Sequence, residues 1–150
     1  MSAPVAGRVW QAPNPEYQEV VEEAFQANKA MSLIGAALGA VEPGIVEIHL
    51  PVHDQLMAHI PGIVHGGTLG MIADSAMGFA ALSLAEPGQT GVTVEYKITF
   101  LAPAMGDEVL ARAEIVKPGK KVMAARADVT DLDGDKEKLV AIASATLIPL

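Results

Sequence analysis

The chain contains no cysteine. That excludes a disulfide framework, a thiol nucleophile and any thiolate metal site, and it suits a reducing cytosol, so a cytoplasmic location is expected. Basic residues are scarce too: ten Lys and Arg stand against eighteen Asp and Glu, a formal charge of −8. So acidic a chain lacks the basic face that nucleic acid or an anionic membrane surface would need, and neither is expected as a partner. Aromatic residues are only 4% of the total, which leaves the core to aliphatic side chains and alanine. The opening residues Met1-Ser2-Ala3-Pro4-Val5-Ala6-Gly7-Arg8 have no basic start followed by an apolar run, so no signal peptide is expected.

What is present is apolar. Half of the 150 residues are hydrophobic, enough for one domain with a proper core. The longest apolar stretch runs from His65-Gly66-Gly67 to Leu84-Ala85 and is closed by Glu86-Pro87-Gly88. Apolar or small on nearly every face, it predicts a helix with no solvent side. Its length would suit a membrane span, but Gly, Ala and Ser dominate it, Asp74 lies near its middle, and no Lys, Arg or Trp anchors flank it. A core helix is therefore expected. Asp74 is its one charge, and a carboxylate in an apolar helix is costly unless something uses or satisfies it.

The rest of the chain reads as a sheet for that helix. Residues 1–32 form an irregular arm and an amphipathic helix, with Asn14 as N-cap, Pro15 at the first helical position, and Tyr17, Val20, Val21, Ala24 and Phe25 on one face. Residues 33–150 form the main domain. Leu33 to Val41 is ambiguous between helix and strand, since its Ala and Leu favour helix while Gly35 and Gly39 weaken either. From Val46 onward the period is two. Val46, Ile48 and Leu50 share a face; Val92, Val94, Tyr96, Ile98 and Phe100 oppose Thr93, Glu95, Lys97 and Thr99. Two more alternating runs follow around Ala111 and Ala125, and Leu139 to Ile148 is apolar on both faces, as a central or doubly covered strand would be. Short turns make successive strands antiparallel. The expected architecture is α+β: a curved antiparallel sheet of five or six strands wrapped round one long central helix.

Three places invite chemistry. The four histidines crowd between residues 49 and 65, but their spacing matches no metal-ligand motif, and no metal site is expected. Asp131-Leu132-Asp133-Gly134-Asp135 resembles a calcium loop only faintly, with glycine misplaced and Ile142 where the closing Glu belongs, so it reads as a hairpin turn with solvated acids. Gly66 and Gly67 stand at a helix start, where amides lacking intrahelical partners favour negative charge and a ligand can approach closely. That makes a credible oxyanion hole, although a glycine turn needed only for packing looks the same in sequence. From His65 to Asp74 is about 13 Å along a helix and about half a turn round it. One chain cannot easily aim Asp74 and its own Gly66 amide at one small group, whereas two antiparallel copies can do so twice. A homodimer, or a tetramer of paired dimers, is expected.

Charge is also uneven. Residues 97–126 carry six basic side chains against three acidic, leaving four against fifteen elsewhere. Lys117-Pro118-Gly119-Lys120-Lys121 reads as a basic hairpin tip able to meet a small polyanion.

Taken together, Gly62-Ile63-Val64-His65-Gly66-Gly67-Thr68-Leu69, Ile72-Ala73-Asp74-Ser75-Ala76 and Gly91-Val92-Thr93-Val94-Glu95-Tyr96-Lys97-Ile98-Thr99-Phe100-Leu101-Ala102-Pro103-Ala104 resemble the hotdog-fold acyl-CoA thioesterases of the phenylacetate (PaaI-like) branch. The similarity runs from about Leu33 to the C-terminus. It implies that Leu33 to Val41 is a strand, that Asp74 is the catalytic general base or nucleophile, and that the Gly66 amide polarises the thioester carbonyl. It places Thr93 where some members have a water-positioning hydroxyl, although strand parity puts that residue away from the core. Where the family usually carries Asn, six residues before His65, this chain has His59. His65, Gly67, Lys120 and Lys121 complete the expected site, the lysines meeting the phosphates of CoA. No cofactor is implied, since CoA is part of the substrate. The expected function is hydrolysis of a small aromatic or short- to medium-chain acyl-CoA. The alternatives are a hotdog enoyl-CoA hydratase or dehydratase and a non-catalytic acyl-CoA binding module.

Overall fold

The period-two runs become one six-stranded antiparallel sheet bent round a single helix in a computed structural model that describes residues 9–150. Residues 1–8, with the expected lack of a signal peptide, lie outside the described residues. In chain order the elements are α1 (Tyr17–Ala27), α2 (Lys29–Ile34), β1 (Ala37–Glu42), β2 (Ile45–Pro51), α3 (Gly66–Leu82), β3 (Gly91–Phe100), β4 (Glu108–Lys117), β5 (Met123–Asp133) and β6 (Lys136–Pro149). The strand order is β1-β2-β4-β5-β6-β3, every neighbouring pair antiparallel. This is the hotdog fold that the resemblance implies.

Alanine sets how closely sheet and helix approach. Ala111, Ala113, Ala125, Ala127, Ala143 and Ala145 line the concave face and are buried, as are Ile72, Ala73, Ala76 and Met77 of α3. Small side chains on three adjacent strands let the sheet close on the helix without voids, as interior packing density requires. The far end of α3 is pinned by a buried hydroxyl: Ser83 donates to the Ala80 carbonyl at 2.7 Å and accepts the Gly44 amide at 2.8 Å. Gly44 sits in the β1–β2 turn with φ 77°, where a side chain would be strained.

Several expectations are corrected in detail. The stretch Leu33 to Val41 is not all strand. Asn28 caps α2 by accepting from the Ala30 and Met31 amides, and Gly35 at φ 76° ends it with Ala36 bonding back to the Met31 carbonyl, so the strand begins only at Ala37. At α1, Asn14 accepts the Glu16 amide in a turn, and the helix proper starts at Tyr17. β6 is central in the sheet but covered on one face only, leaving Leu139 and Ile142 exposed. Asp131 is not solvated: it is 5% exposed and accepts the Met105 and Gly106 amides, holding the turn before β4. Nor is α3 buried all round. Gly67 and Met71 are exposed and Asp74, Ser75 and Gly78 half-buried, so one stripe stays open within the chain.

The alternation in β3 is broken as well. A register shift falls between Thr93 and Glu95: Thr93 pairs with Leu147, while Glu95 pairs with Thr146 and accepts its hydroxyl at 2.6 Å. Paired residues share a face, and Leu147 is buried in the core. The bulge therefore returns Thr93 to the helix side with Tyr96, Ile98 and Phe100, and sends Val92 to the other face with Ile148.

Candidate active site

The start of α3 is built by His65 and two glycines. The His65 carbonyl accepts the Thr68 and Leu69 amides at 3.0 and 3.4 Å, and its ring Nδ1 accepts the Gly67 amide at 2.8 Å. That bond puts the ring proton on Nε2 and explains the second glycine, since a Cβ on Gly67 would lie 2.9 Å from the imidazole. Gly67 therefore does not offer its amide to a ligand. The Gly66 amide has no partner among the described residues, and it is the one donor left open in the first turn. A Cβ on Gly66 would come within 3.0 Å of the Phe100 ring, so the glycine is also what lets β3 lie against the helix start. Beside it a groove of about 340 Å³ is lined by Ile63, Leu69, Phe100 and Pro103.

Asp74 lies eight residues along the same helix, about 12 Å up the axis and about 80° round it. Its Oδ1 is buried with no hydrogen-bond partner among the described residues. Native structures rarely leave a buried carboxylate oxygen unbonded, which singles Asp74 out within the core helix. The helix face near it is covered by β3: the Tyr96 and Phe100 rings meet Gly70 and Gly66, and Gly91 comes near Ala81. These contacts bracket Thr93, which the bulge turns toward the helix between them. Asp74, Gly66 and Thr93 thus address one side of α3, although axial distance keeps Asp74 from its own Gly66.

The other expected residues are dispersed. His59 is exposed in the loop closed by the Met57–Val64 bridge and makes no bond to a described residue. His49 meets Glu108 at 2.6 Å and His53 the Ile34 carbonyl at 3.0 Å. Among the described residues no cluster of metal-ligating side chains forms. The basic region divides: Arg112 pairs with Glu47 at 2.5 Å and Arg126 with Glu114 on the outer sheet face. Lys117, Lys120 and Lys121 remain exposed at the β4–β5 turn. Lys120 lines a groove of about 400 Å³ with Leu84, Glu86, Gln89 and Met123, beyond the C-terminal end of α3. The helix puts about 25 Å between that groove and Gly66. Phe100, counted in sequence only as a strand residue, lies against Gly66 and lines the groove beside it; its signal was the glycine opposite it.

Fold and site together define the class, a thioester hydrolase of the hotdog fold. The thioesterase superfamily model matches residues 61–138, and the chain belongs to that family. It is similar to a thioesterase family protein of Silicibacter pomeroyi, with 36% identity, a TM-score of 0.87 and coverage of 89% of this chain and 98% of that one. It is 30% identical to the 1,4-dihydroxy-2-naphthoyl-CoA hydrolase of Listeria monocytogenes over 76% of this chain and 89% of that protein. The E. coli PaaI protein shares the fold, with a TM-score of 0.81 at 20% identity over 93% of this chain and 96% of that one. No helix among the described residues is long and apolar enough to cross a membrane.

Proposed function

We propose that the protein hydrolyses a small aromatic or short- to medium-chain acyl-CoA, at a site completed by two copies of the chain. Asp74 of one copy serves as general base or nucleophile; the Gly66 amide of the other receives the charge that develops on the thioester oxygen. The observation that carries this reading is a mismatch within one chain: the open Gly66 amide and the unpartnered Asp74 carboxylate lie on the same helix about 12 Å apart. Antiparallel helices, each offering its open stripe, remove that mismatch. The same arrangement brings the Lys120 groove of one copy toward the Gly66 end of the other, which gives the CoA phosphates their basic contact. The groove beside Gly66 supports a compact acyl group. The CoA hydrolase relative supports the carrier.

Complementation tests it. Gly66 is the first helical residue, where proline is tolerated, and His65 at φ −59°, ψ 130° already has the conformation that precedes proline. Gly66→Pro removes the amide hydrogen and adds a ring, and Gly66→Ala controls for the added Cβ against Phe100. Asp74→Asn and Gly66→Pro should each lose thiol release from acyl-CoA. Co-expressed, they should recover about a quarter of wild-type activity, because half of randomly paired dimers hold one intact site of two. No recovery from a confirmed mixed dimer would place both groups in one chain. Tight CoA-ester binding by the wild type with no thiol released would make the protein a binding module.

A further inference from the structure

One polar group that the reaction has not yet used, the Tyr96 hydroxyl, lies over the glycine one turn before Asp74. Tyr96 lies on the helix face of β3, opposite Ala145, and its hydroxyl would stand 2.9 Å from a Cβ on Gly70. Gly70 is one turn before Asp74, and side chains on a helix lean toward its N-terminus, so the Asp74 carboxylate also leans over Gly70. The Asp74 Oδ1 is buried without a partner, and the Tyr96 hydroxyl bonds to no described residue. The two are not bonded to each other. A water that bonds both groups satisfies each without a direct bond between them.

Resting on the proposed hydrolysis, we infer that Tyr96 holds the attacking water against Asp74 of its own chain. The water gives a proton to the carboxylate and its oxygen adds to the thioester carbonyl carbon. The C–S bond then breaks, and the thiolate leaves with the proton that Asp74 returns. The tyrosine hydroxyl changes no bond of its own. It fixes the water by one hydrogen bond, from the helix face of β3. Gly70 follows from the same geometry: any side chain there displaces the hydroxyl. The next ring atoms, Cε2 and Cζ, are 3.7 Å away, an ordinary contact.

That difference supplies the test. Tyr96→Phe should lower kcat about tenfold, the effect of one hydrogen bond, with KM for the acyl-CoA nearly unchanged. Gly70→Ala should give a loss of the same kind by pushing the hydroxyl aside. In the Tyr96→Phe background Gly70→Ala should cost nothing further, because the clashing atom is gone, whereas independent packing defects would add. Thermal unfolding and solution mass of each variant show that the fold and assembly are kept. Wild-type kcat in Tyr96→Phe, with Asp74→Asn inactive, overturns the role of Tyr96 and leaves the proposed function standing. Fully additive losses in the double variant overturn it as well. Normal hydrolysis by Asp74→Asn would instead remove the reading on which it rests.

Discussion

The two edges of the sheet are treated in opposite ways. At one, β1 is only six residues long, has a register shift, and spends the Val41 carbonyl on the Gln18 side chain of α1 at 3.1 Å. At the other, β3 is ten residues long and carries Val94, Tyr96 and Phe100 at 51%, 42% and 53% exposure. A long apolar edge with unpaired backbone groups is a template for another strand, which proteins ordinarily blunt, shorten or cover. The chain shortens and covers β1; β3 keeps its full length uncovered, interrupted only by the Thr93 bulge and the charges of Glu95 and Lys97. What differs between the edges is what lies beside them: the open Gly66 amide, the unpartnered Asp74 carboxylate and the Thr93 bulge of the candidate site are all toward β3. The exposed edge is thus continuous with the site, and covering it with a second copy would close both at once.

The largest effect expected is at the carboxylate on that side. Asp74→Asn keeps the shape and removes the basicity, and kcat for thiol release should fall at least about a hundredfold, the low end of an acid–base contribution. Dimerisation and CoA binding should persist, measured by light scattering and by calorimetry. Retained hydrolysis would leave Asp74 a buried acid with no part in the chemistry. Next comes the edge itself. Val94→Lys puts charges where two β3 strands would meet, and like charges across an interface cost several kcal/mol, so the dimer should dissociate at least about tenfold more readily. Activity should fall in step with the dimer mass as the protein is diluted. A monomer of full activity would separate the site from the assembly.

Much of this was legible in the sequence because the two periods are clean. The buried helix, the antiparallel strands with their inward alanines, and the histidine-glycine start of α3 all follow from local pattern. What was not legible came from contacts across the chain. Gly35 stops a short helix inside a stretch that local pattern leaves ambiguous and the resemblance makes a strand, because its left-handed turn lets Ala36 bond back to Met31. Thr93 looks outward by strict alternation; only the bulge against β6 reverses it. Asp131 looks like a turn acid until the Met105 and Gly106 amides are brought to it by the loop that leads into β4. Gly67 looks like Gly66 in sequence, yet His65 takes one amide and leaves the other.

A smaller effect belongs to the hairpin tip beyond the far end of α3. Replacing Lys120 and Lys121 together with Ala should raise KM for acyl-CoA several-fold with kcat almost unchanged, the mark of binding lost equally in ground and transition states. The rise should shrink as salt screens the phosphates. Because a single helix separates this tip from its own Gly66 by about 25 Å, the effect is expected only if the partner's tip serves the site. An unchanged KM at low salt would leave these lysines as solvated surface.

The smallest expected effect falls on the protected edge and sharpens the comparison from the other side. Gln18→Ala removes a bond from an exposed amide to the Val41 carbonyl. Water can replace that donor, so stability should drop by no more than about 1 kcal/mol and activity should not change. Solution mass is the informative measurement. If β1 is kept single by its shortness, its irregular register and α1 beside it, removing one side-chain bond will not recruit a second chain, and the dimer will keep its mass at every concentration. Growth beyond the wild-type mass would mean that Gln18 alone had been guarding this edge. The contrast between a closed β1 and an open β3 would then rest on one side chain rather than on the architecture of the sheet.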